Sequence, residues 1–177
     1  MKKGLLILIV IMAVTAAFAF PKGTINPGGT ISYTSYKYNS DADASTLLTI
    51  NPQVGYLIID NLALDLNLAY QMDNDDWSAF GIGAGARYFF GNIYAGAGIM
   101  YQSESDEYFG EDFSVSATFL NVKAGYLLPI ARNVFLDLGA KYDMGFGSYG
   151  GDGSGDNEQS KLTIGAGLQV FYMMKKL

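Results

Sequence analysis

One short stretch constrains the fold of this chain more than any other. Residues 62–70 read LALDLNLAY, so a large apolar side chain stands at every even number and Ala, Asp or Asn at every odd number. Successive side chains of a β-strand point to opposite faces, which would give this stretch one wholly apolar face. As a helix, the four leucines would fall on two opposed faces. The stretch therefore predicts a strand.

The first 19 residues predict a secretory signal peptide. Lys2 and Lys3 precede the apolar run from Leu5 to Val14, and Ala17-Phe18-Ala19 provides a small-x-small cleavage site. The alternative is an uncleaved anchor, but the apolar run is shorter than a bilayer-spanning helix requires. The predicted domains are thus a signal peptide at residues 1–19 and one folded domain at residues 20–177.

Charge and cysteine content exclude several classes of protein. Losing Lys2 and Lys3 with the signal takes the basic count from 11 to 9 against 17 acids, so the net charge falls from −6 to −8. A nucleic-acid partner is not expected at this charge. The chain has no cysteine, which excludes a lipid-anchored lipoprotein, disulfides and thiolate metal sites.

The alternation of residues 62–70 recurs along the mature chain and predicts an all-β fold. Each predicted strand has an apolar face and a small or polar face, and hardly any is apolar on both. The eight predicted strands are Gly29 to Lys37, Thr46 to Ile58, Leu62 to Tyr70, Ser78 to Tyr88, Ile93 to Gln102, Val115 to Leu128, Val134 to Met144 and Lys161 to Tyr172.

The connections between these strands alternate in kind. Tight turns follow the second, fourth and sixth strands, at Asp60-Asn61, Phe90-Asn92 and Pro129-Asn133, and longer polar loops, including Ser103 to Ser114 and Gly145 to Gln159, follow the odd-numbered strands. Short periplasmic turns and longer external loops are typical of outer-membrane barrels. The sequence predicts an eight-stranded antiparallel up-and-down transmembrane β-barrel in the outer membrane of a Gram-negative-type cell, with both termini periplasmic.

Charged residues of the strands lie on one face only. The apolar faces of the second to eighth strands carry no Asp, Glu, Lys or Arg, whereas the opposite faces carry both signs. Charges removed from bulk water must be paired or hydrogen-bonded. We therefore expect an ion-pair network in the barrel lumen formed by Asp65, Arg87, Lys123, Asp137, Lys141 and Asp143, with Lys161 on the same face.

Tyrosines stand at both ends of the apolar faces. A ring with an apolar body and a polar tip favours the membrane interface, so these residues predict two aromatic girdles. The turn-side girdle would hold Tyr56, Tyr88, Tyr126 and Tyr172, and the loop-side girdle Tyr70, Tyr101 and Tyr142.

Several segments resemble the small eight-stranded outer-membrane barrels typified by OmpX and the membrane domain of OmpA. The hairpins around INPQVGY (50–56) with DNLAL (60–64), and around AGYLLP (124–129), are similar to hairpins of that family. The last strand is similar to the family's assembly signal, met by Thr163, Gly165, Leu168 and Val170, although the chain continues past Tyr172 instead of ending on an aromatic residue. The resemblance implies the cell's barrel-insertion machinery and outer-membrane lipids as partners.

The sequence offers little for catalysis. Outer-membrane barrel enzymes resemble one another in relying on histidine as general base, and this chain contains neither histidine nor cysteine. Asp137 and Asp143 share a strand face, but they lie too far apart to share a proton. We expect no catalytic residue, no cofactor and no dedicated metal site, and a lipid-modifying enzyme is the least favoured function.

The predicted loops are strongly acidic. They hold 13 of the 17 acids, namely Asp41, Asp43, Asp73, Asp75, Asp76, Glu104, Asp106, Glu107, Glu111, Asp112, Asp152, Asp156 and Glu158. They are either simple solvated loops or recruit Ca²⁺ or Mg²⁺ or surface ligands, with Tyr108, Phe109 and Phe113 as further contacts. The favoured role is therefore structural or surface-interactive, in envelope integrity or adhesion.

The alternative is a narrow, porin-like channel for small polar or amphipathic solutes. Eight strands enclose a lumen that side chains can just fill. The predicted inner face is bare at Gly81, Gly83, Gly85, Gly96 and Gly98. Either water occupies that space, or Arg87, Phe135 and Phe171 reach across and fill it, which is the outcome we expect.

Overall fold

The computed structural model of the protein describes residues 19–36, 45–73, 78–108, 111–151, 155–156 and 160–173. Within these ranges the regular structure is entirely β. The strands are β1 Thr24–Tyr36, β2 Ser45–Ile59, β3 Leu62–Asp73, β4 Ser78–Phe90, β5 Ile93–Tyr108, β6 Glu111–Ala131, β7 Val134–Gly151, β8 Gly155–Asp156, β9 Ser160–Val170 and β10 Tyr172–Met173. No helix in the described ranges has the length and apolar character to cross a bilayer.

The sheet closes on itself as an eight-stranded antiparallel barrel, which confirms the predicted fold. Each strand from β1 to β7 pairs with the next along the chain, and β7 pairs with β9. The last barrel strand is interrupted at Phe171 and continues as β10, and both of its parts pair with β1. β8 is a two-residue strand that extends the hairpin beyond the barrel, where it pairs with β7.

Tight turns join the strands at one end of the barrel, which we call the turn side; the other end is the loop side. Asn61 and Asn133 have φ of 63° and Gly91 has φ of 64°. Glycine adopts this left-handed region without strain and asparagine more easily than other residues, so each turn has a residue suited to it.

The side chains alternate between the lumen and the exterior as the sequence predicts. In β3, Ala63, Asp65 and Ala69 are buried, whereas Leu64, Leu66 and Leu68 are 42–62% exposed. The same parity holds for the described side chains of β2 to β7 and of β9, and the exterior forms an apolar belt that reaches its greatest exposure at Ile164, 77%. A water-soluble barrel would bury this surface, so the exterior is built to contact lipid.

Several strands are longer than the sequence predicts. β1 begins at Thr24 instead of Gly29, and its added residues place Thr24 and Asn26 in the lumen. Residues 103–108 and 111–114 were predicted as part of an acidic loop, but they belong to a continuation of β5 and β6 in which residues 103–108 pair with residues 111–116. β7 likewise continues to Gly151 through the predicted Gly-rich loop. Polar residues can extend an antiparallel ladder beyond the membrane because backbone hydrogen bonds hold it, and hydropathy does not reveal such an extension.

Two irregularities interrupt the strand pairing. The pairing of β2 with β3 passes from Ile50↔Tyr70 to Gln53↔Asn67, so Pro52, which has no N–H, falls in a gap of that ladder. β6 shifts register against β7 between Ser116 and Thr118. A second register shift lies between Pro129 and Ala131. β6 therefore runs to Ala131, although the sequence predicts a turn that begins at Pro129.

Candidate functional site: the barrel lumen

An aromatic cluster closes the turn-side end of the lumen. Phe20, Phe89, Phe135 and Phe171 are each at most 6% exposed. The ring of Phe20 stacks on Phe171 with centroids 4.0 Å apart and lies 5.1 Å from Phe89 and 5.8 Å from Phe135. Leu57, Ala63, Tyr94 and Leu127 complete the cluster. The near-complete burial of these rings shows that they pack tightly against one another at this end of the lumen.

Backbone hydrogen bonds hold Phe20 in place. Its N–H donates to Asn61 Oδ1 and its carbonyl accepts from Asn61 N, both at 2.8 Å. Lys22 N donates to Asp60 Oδ1 at 2.7 Å, and Gly23 N donates to the Leu57 carbonyl at 2.9 Å. The first turn of the barrel therefore anchors the segment that precedes β1.

Arg87 lies directly above this cluster and crosses the lumen. The residue is 1% exposed, and its guanidinium forms a two-point ion pair with Asp65, with Nε–Oδ2 at 2.6 Å and Nη2–Oδ1 at 2.9 Å. Lys123 Nζ reaches the same carboxylate at 3.1 Å. A planar guanidinium matches a carboxylate in this geometry, which fixes both side chains.

Neutral side chains satisfy the rest of the guanidinium. Nη2 donates to Asn26 Oδ1 at 2.6 Å. With its amide oxygen turned toward Arg87, Gln53 accepts from Nη1 at 2.9 Å. The guanidinium carbon also lies 5.3 Å from the Phe89 ring centre and 5.4 Å from that of Tyr94, within the range of cation–π attraction.

Asp137 does not share in this ion pair, although the sequence predicts one network. Its two oxygens accept from neutral donors, Tyr94 Oη at 2.9 Å and Gln169 Nε2 at 3.0 Å. Lys141 pairs instead with Asp143, at 3.0 Å. The expected six-residue set therefore divides into Asp65 with Arg87 and Lys123, Asp137 with neutral partners, and Lys141 with Asp143.

Glycines of the inner wall make room for the large side chains. A Cβ added to Gly96 would stand 2.7 Å from Arg87 Cγ, and one added to Gly55 would stand 2.6 Å from Asp65 Oδ1. Gly125 and Gly139 accommodate the Tyr94 ring in the same way, with distances of 2.6 and 2.7 Å. Of the five glycines predicted to leave the inner wall bare, Gly96 is the one that makes room for Arg87, and the nearest atoms to the other four belong to neighbouring strand backbone, Ala69, Met100 or Asn121. Phe135 and Phe171 lie at the turn-side end.

The loop-side half of the lumen is more open. A cavity of about 90 Å³ begins beside Tyr94 and Asp137 and extends toward the loop side, where its lining includes Asn51, Asn67, Asn121, Lys123, Lys141 and Thr163. Such a cavity is roomy enough for several water molecules. Lys141 and Asp143 keep 27% and 10% of their side-chain surface exposed, and Lys161 Nζ donates to Gln71 Oε1 at 3.3 Å.

Glu104 stands at the loop-side end of β5, beyond Tyr101. Gln102 Nε2 donates to its Oε1 at 3.0 Å. Partial burial raises the pKa of this carboxyl, and the Gln102 amide and the positive charge of Lys161 oppose that shift. In the described ranges no cluster of three or more His, Cys, Asp or Glu residues could hold a metal ion.

The seven predicted girdle tyrosines all point outward. Six are 39–63% exposed, and Tyr126 is half-buried. Strand register places them at the two ends of the belt: Tyr88 faces Leu62 beside the first turn, whereas Tyr142 faces Leu162 near the loop side.

The four residues of the predicted assembly signal lie on both faces of the last strand. Thr163 and Gly165 face the lumen, and Leu168 and Val170 face outward.

Two solved structures have the same architecture. The crystal structure of Neisserial surface protein A (NspA) superposes with a TM-score of 0.61 at 20% identity, covering 86% of this chain and 98% of that one. The N-terminal β-barrel domain of Pseudomonas aeruginosa OprF gives 0.61 at 13% identity, covering 85% and 98%. This chain has the fold of the small eight-stranded outer-membrane barrels. No protein-family model and no curated protein sequence matches this barrel.

Sequence reasoning missed four lumen residues that complete the barrel's polar network. Asn26 lay outside the predicted first strand, whereas Gln53, Tyr94 and Gln169 were placed on inner faces but not assigned partners. A count of inward polar side chains of both kinds, charged and neutral, would have identified the last three. Six of the thirteen acidic loop residues lie outside the described residues, namely Asp41, Asp43, Asp75, Asp76, Asp152 and Glu158.

Proposed function

We propose that the protein is a non-conducting structural barrel of the outer membrane, inserted there by the cell's barrel-insertion machinery. The observation that carries this proposal is the double closure of the turn-side lumen, by the phenylalanine cluster around Phe20 and by the Asp65–Arg87 pair above it. Neither layer leaves room for a hydrated ion without movement of buried side chains. Enzymatic activity is not part of the proposal.

The membrane location is supported by the apolar exterior and by the fold shared with NspA and OprF. Periplasmic termini are supported by the even strand number, which puts Phe20 and Tyr172 at the same, turn-side end.

Leu66 and Asn67 offer a matched test of lipid contact, because they are neighbours on opposite faces. Leu66→Lys should lower the unfolding free energy in lipid by about 2 to 4 kcal/mol, and Asn67→Lys by much less. Equal losses would contradict lipid contact at Leu66.

Conductance of the refolded mature chain in planar lipid bilayers tests the closed lumen. We expect no steady single-channel steps from the natural sequence. The double variant Phe20→Ala, Arg87→Ala removes one member of each layer and should show measurable conductance, which proves that the assay detects an opened barrel. Steady ion flow through the unaltered protein would refute the proposal.

The second candidate is a narrow channel for small polar or amphipathic solutes. It is favoured by the loop-side cavity of about 90 Å³, which already gives a polar path through part of the barrel. The same recording decides between the two functions. Channel activity would require Phe20 or Arg87 to move, so the conductance would rise when either residue is truncated singly.

The surface role is proposed from the acidic loops, which hold 13 of the 17 acids. We propose that they support envelope integrity or adhesion, with divalent cations or surface ligands as partners. Cells lacking the protein should become more permeable to bulky antibiotics, and the natural protein should restore the barrier. A variant with Glu104, Glu107, Glu111 and Asp112 changed to amides tests the acidic extension of β5 and β6. Full restoration of the barrier by this variant would show that these four acids are not needed.

A further inference from the structure

The strands that close the barrel are paired along only part of their length. β1 and β9 share the pairs Gly28↔Gln169, Gly29↔Leu168, Thr30↔Gly167 and Ile31↔Ala166. Beyond Ile31, β1 continues to Tyr36 beside β2 alone, and β9 from Ser160 to Gly165 pairs with β7 alone. The described parts of the two strands therefore separate toward the loop side, and we call this gap the seam.

Glycines on β9 mark where the strands part. A Cβ added to Gly167 would collide with the carbonyl oxygen of Gly29, so the strands are in close contact there. A Cβ added to Gly165, two residues further toward the loops and on the same inner face, would meet nothing within 4 Å. The space therefore opens within two residues of strand.

The seam leads into the lumen cavity. Gly29 and Thr30 line the cavity from β1, and Thr163 and Gly165 line it from β9. Lys141, which pairs in register with Thr163, lines the cavity from β7 together with Asp137. Lys123 and the amide side chains of β2, β3 and β6 complete its polar lining. The cavity and the seam thus form one continuous space that the aromatic cluster does not close.

The opening lies within the apolar belt. Leu162 pairs with Tyr142 of the loop-side girdle, and Ile164 lies on the turn side of that level. Ile31, Leu162 and Ile164 are 65%, 66% and 77% exposed on the outer face beside the seam. Unpaired strand backbone is costly in hydrocarbon, so an edge at this depth needs a polar partner from the cavity.

We infer that the seam admits a single-chain amphiphile with a carboxylate head, of the fatty-acid class, from the loop-side leaflet. The head would lie in the cavity near Lys123 and Lys141, and the tail would remain outside along Ile31 and Ile164. Each ammonium has three donors and uses one on Asp65 or Asp143, so donors remain for a second carboxylate. A cavity of about 90 Å³ accepts a carboxylate but not a full phosphoglyceride headgroup.

The test uses cis-parinaric acid, a fluorescent fatty acid, titrated against the full-length mature chain refolded in phosphatidylcholine vesicles. Gly165→Trp fills the seam from the inner face, and Ala166→Trp adds the same ring on the outer face of the next residue. We expect saturable binding to the natural chain, a loss of about tenfold or more in affinity for Gly165→Trp and little change for Ala166→Trp. Absence of saturable binding, or equal effects of both variants, would overturn the inference.

Two further arms locate the head and confirm the gap. Lys141→Gln should weaken binding of cis-parinaric acid but not of the corresponding alcohol. An equal effect on both ligands would mean that the carboxylate does not lie in the cavity. In Ser32→Cys, Gly165→Cys, a disulfide would draw the seam closed, so oxidation should abolish binding and reduction restore it. Oxidised protein that still binds the probe would place the ligand elsewhere. Conductance plays no part in this result, so the inference and the closed lumen can fail separately.

Discussion

The two halves of the lumen are built differently, although the same strands form both. On the turn side, aromatic rings and a fully buried ion pair fill the barrel, and every guanidinium contact is short. On the loop side, the charged pairs keep part of their surface exposed, a cavity remains, and the closing strands separate. The turn-side half is therefore densely packed, whereas the loop-side half keeps internal space and partly exposed charged side chains.

The largest loss of unfolding free energy is expected from Arg87→Ala, because this change leaves the buried Asp65 carboxylate with Lys123 as its remaining ion-pair partner. Removing one partner of a buried ion pair typically costs about 3 to 5 kcal/mol. Urea unfolding in lipid vesicles measures the loss. Adding Asp65→Asn to this variant should recover much of it, and no recovery would mean that Arg87 acts mainly through packing.

Phe20→Ala should follow, with a loss near the lower end of the range for a buried phenylalanine, about 3 kcal/mol. Phe20 contacts three rings, but it belongs to the segment before β1 and not to the barrel wall. Phe20→Leu is the control, since it retains most of the apolar volume. If both variants unfold like the natural chain, the cluster does not stabilise the turn-side half.

Lys141→Gln should cost about 1 kcal/mol or less, because its ion pair with Asp143 is partly exposed. Lys161 also pairs in register with Asp143 and supplies a second positive charge on the same side. The same urea experiment applies. A loss of unfolding free energy as large as that of Arg87→Ala would show that both halves of the lumen depend equally on their ion pairs. That result would contradict the difference between the turn-side and loop-side halves.

The smallest effect is expected at Glu104. Burial raises the pKa of its carboxyl, so the folded state carries a cost for the charged form that is relieved as the pH falls through this raised pKa. Glu104→Gln should therefore raise the melting temperature slightly at pH 7, and the advantage should shrink as the pH is lowered toward 5. An advantage that grows on acidification would contradict the direction of this shift.

Much of the fold could be predicted because lipid imposes a simple rule on each strand. Exterior side chains must be apolar, so parity alone assigned Leu66, Ile82 and Tyr101 to the outside. The rule fails beyond the membrane, where backbone pairing needs no apolar face. The continuation of β5 and β6 to Tyr108 and Glu111 was missed for that reason.

The partners inside the lumen were less predictable. Parity placed Asp65, Asp137 and Arg87 on the inner face, but it could not tell which carboxylate Arg87 would reach. That choice depends on strand stagger and on where glycines leave space, as Gly96 does for Arg87. Neither is visible in a single strand.

The sequence by itself determined the strand parity, the tight turns and the apolar exterior, because each follows from local spacing and from the cost of placing charge in lipid. Tertiary structure alone decided the aromatic closure by Phe20, the partner of each buried charge, and the incomplete pairing of β1 with β9. These depend on how residues far apart in the chain meet when the barrel closes, and stagger between the first and last strands is set only at that step.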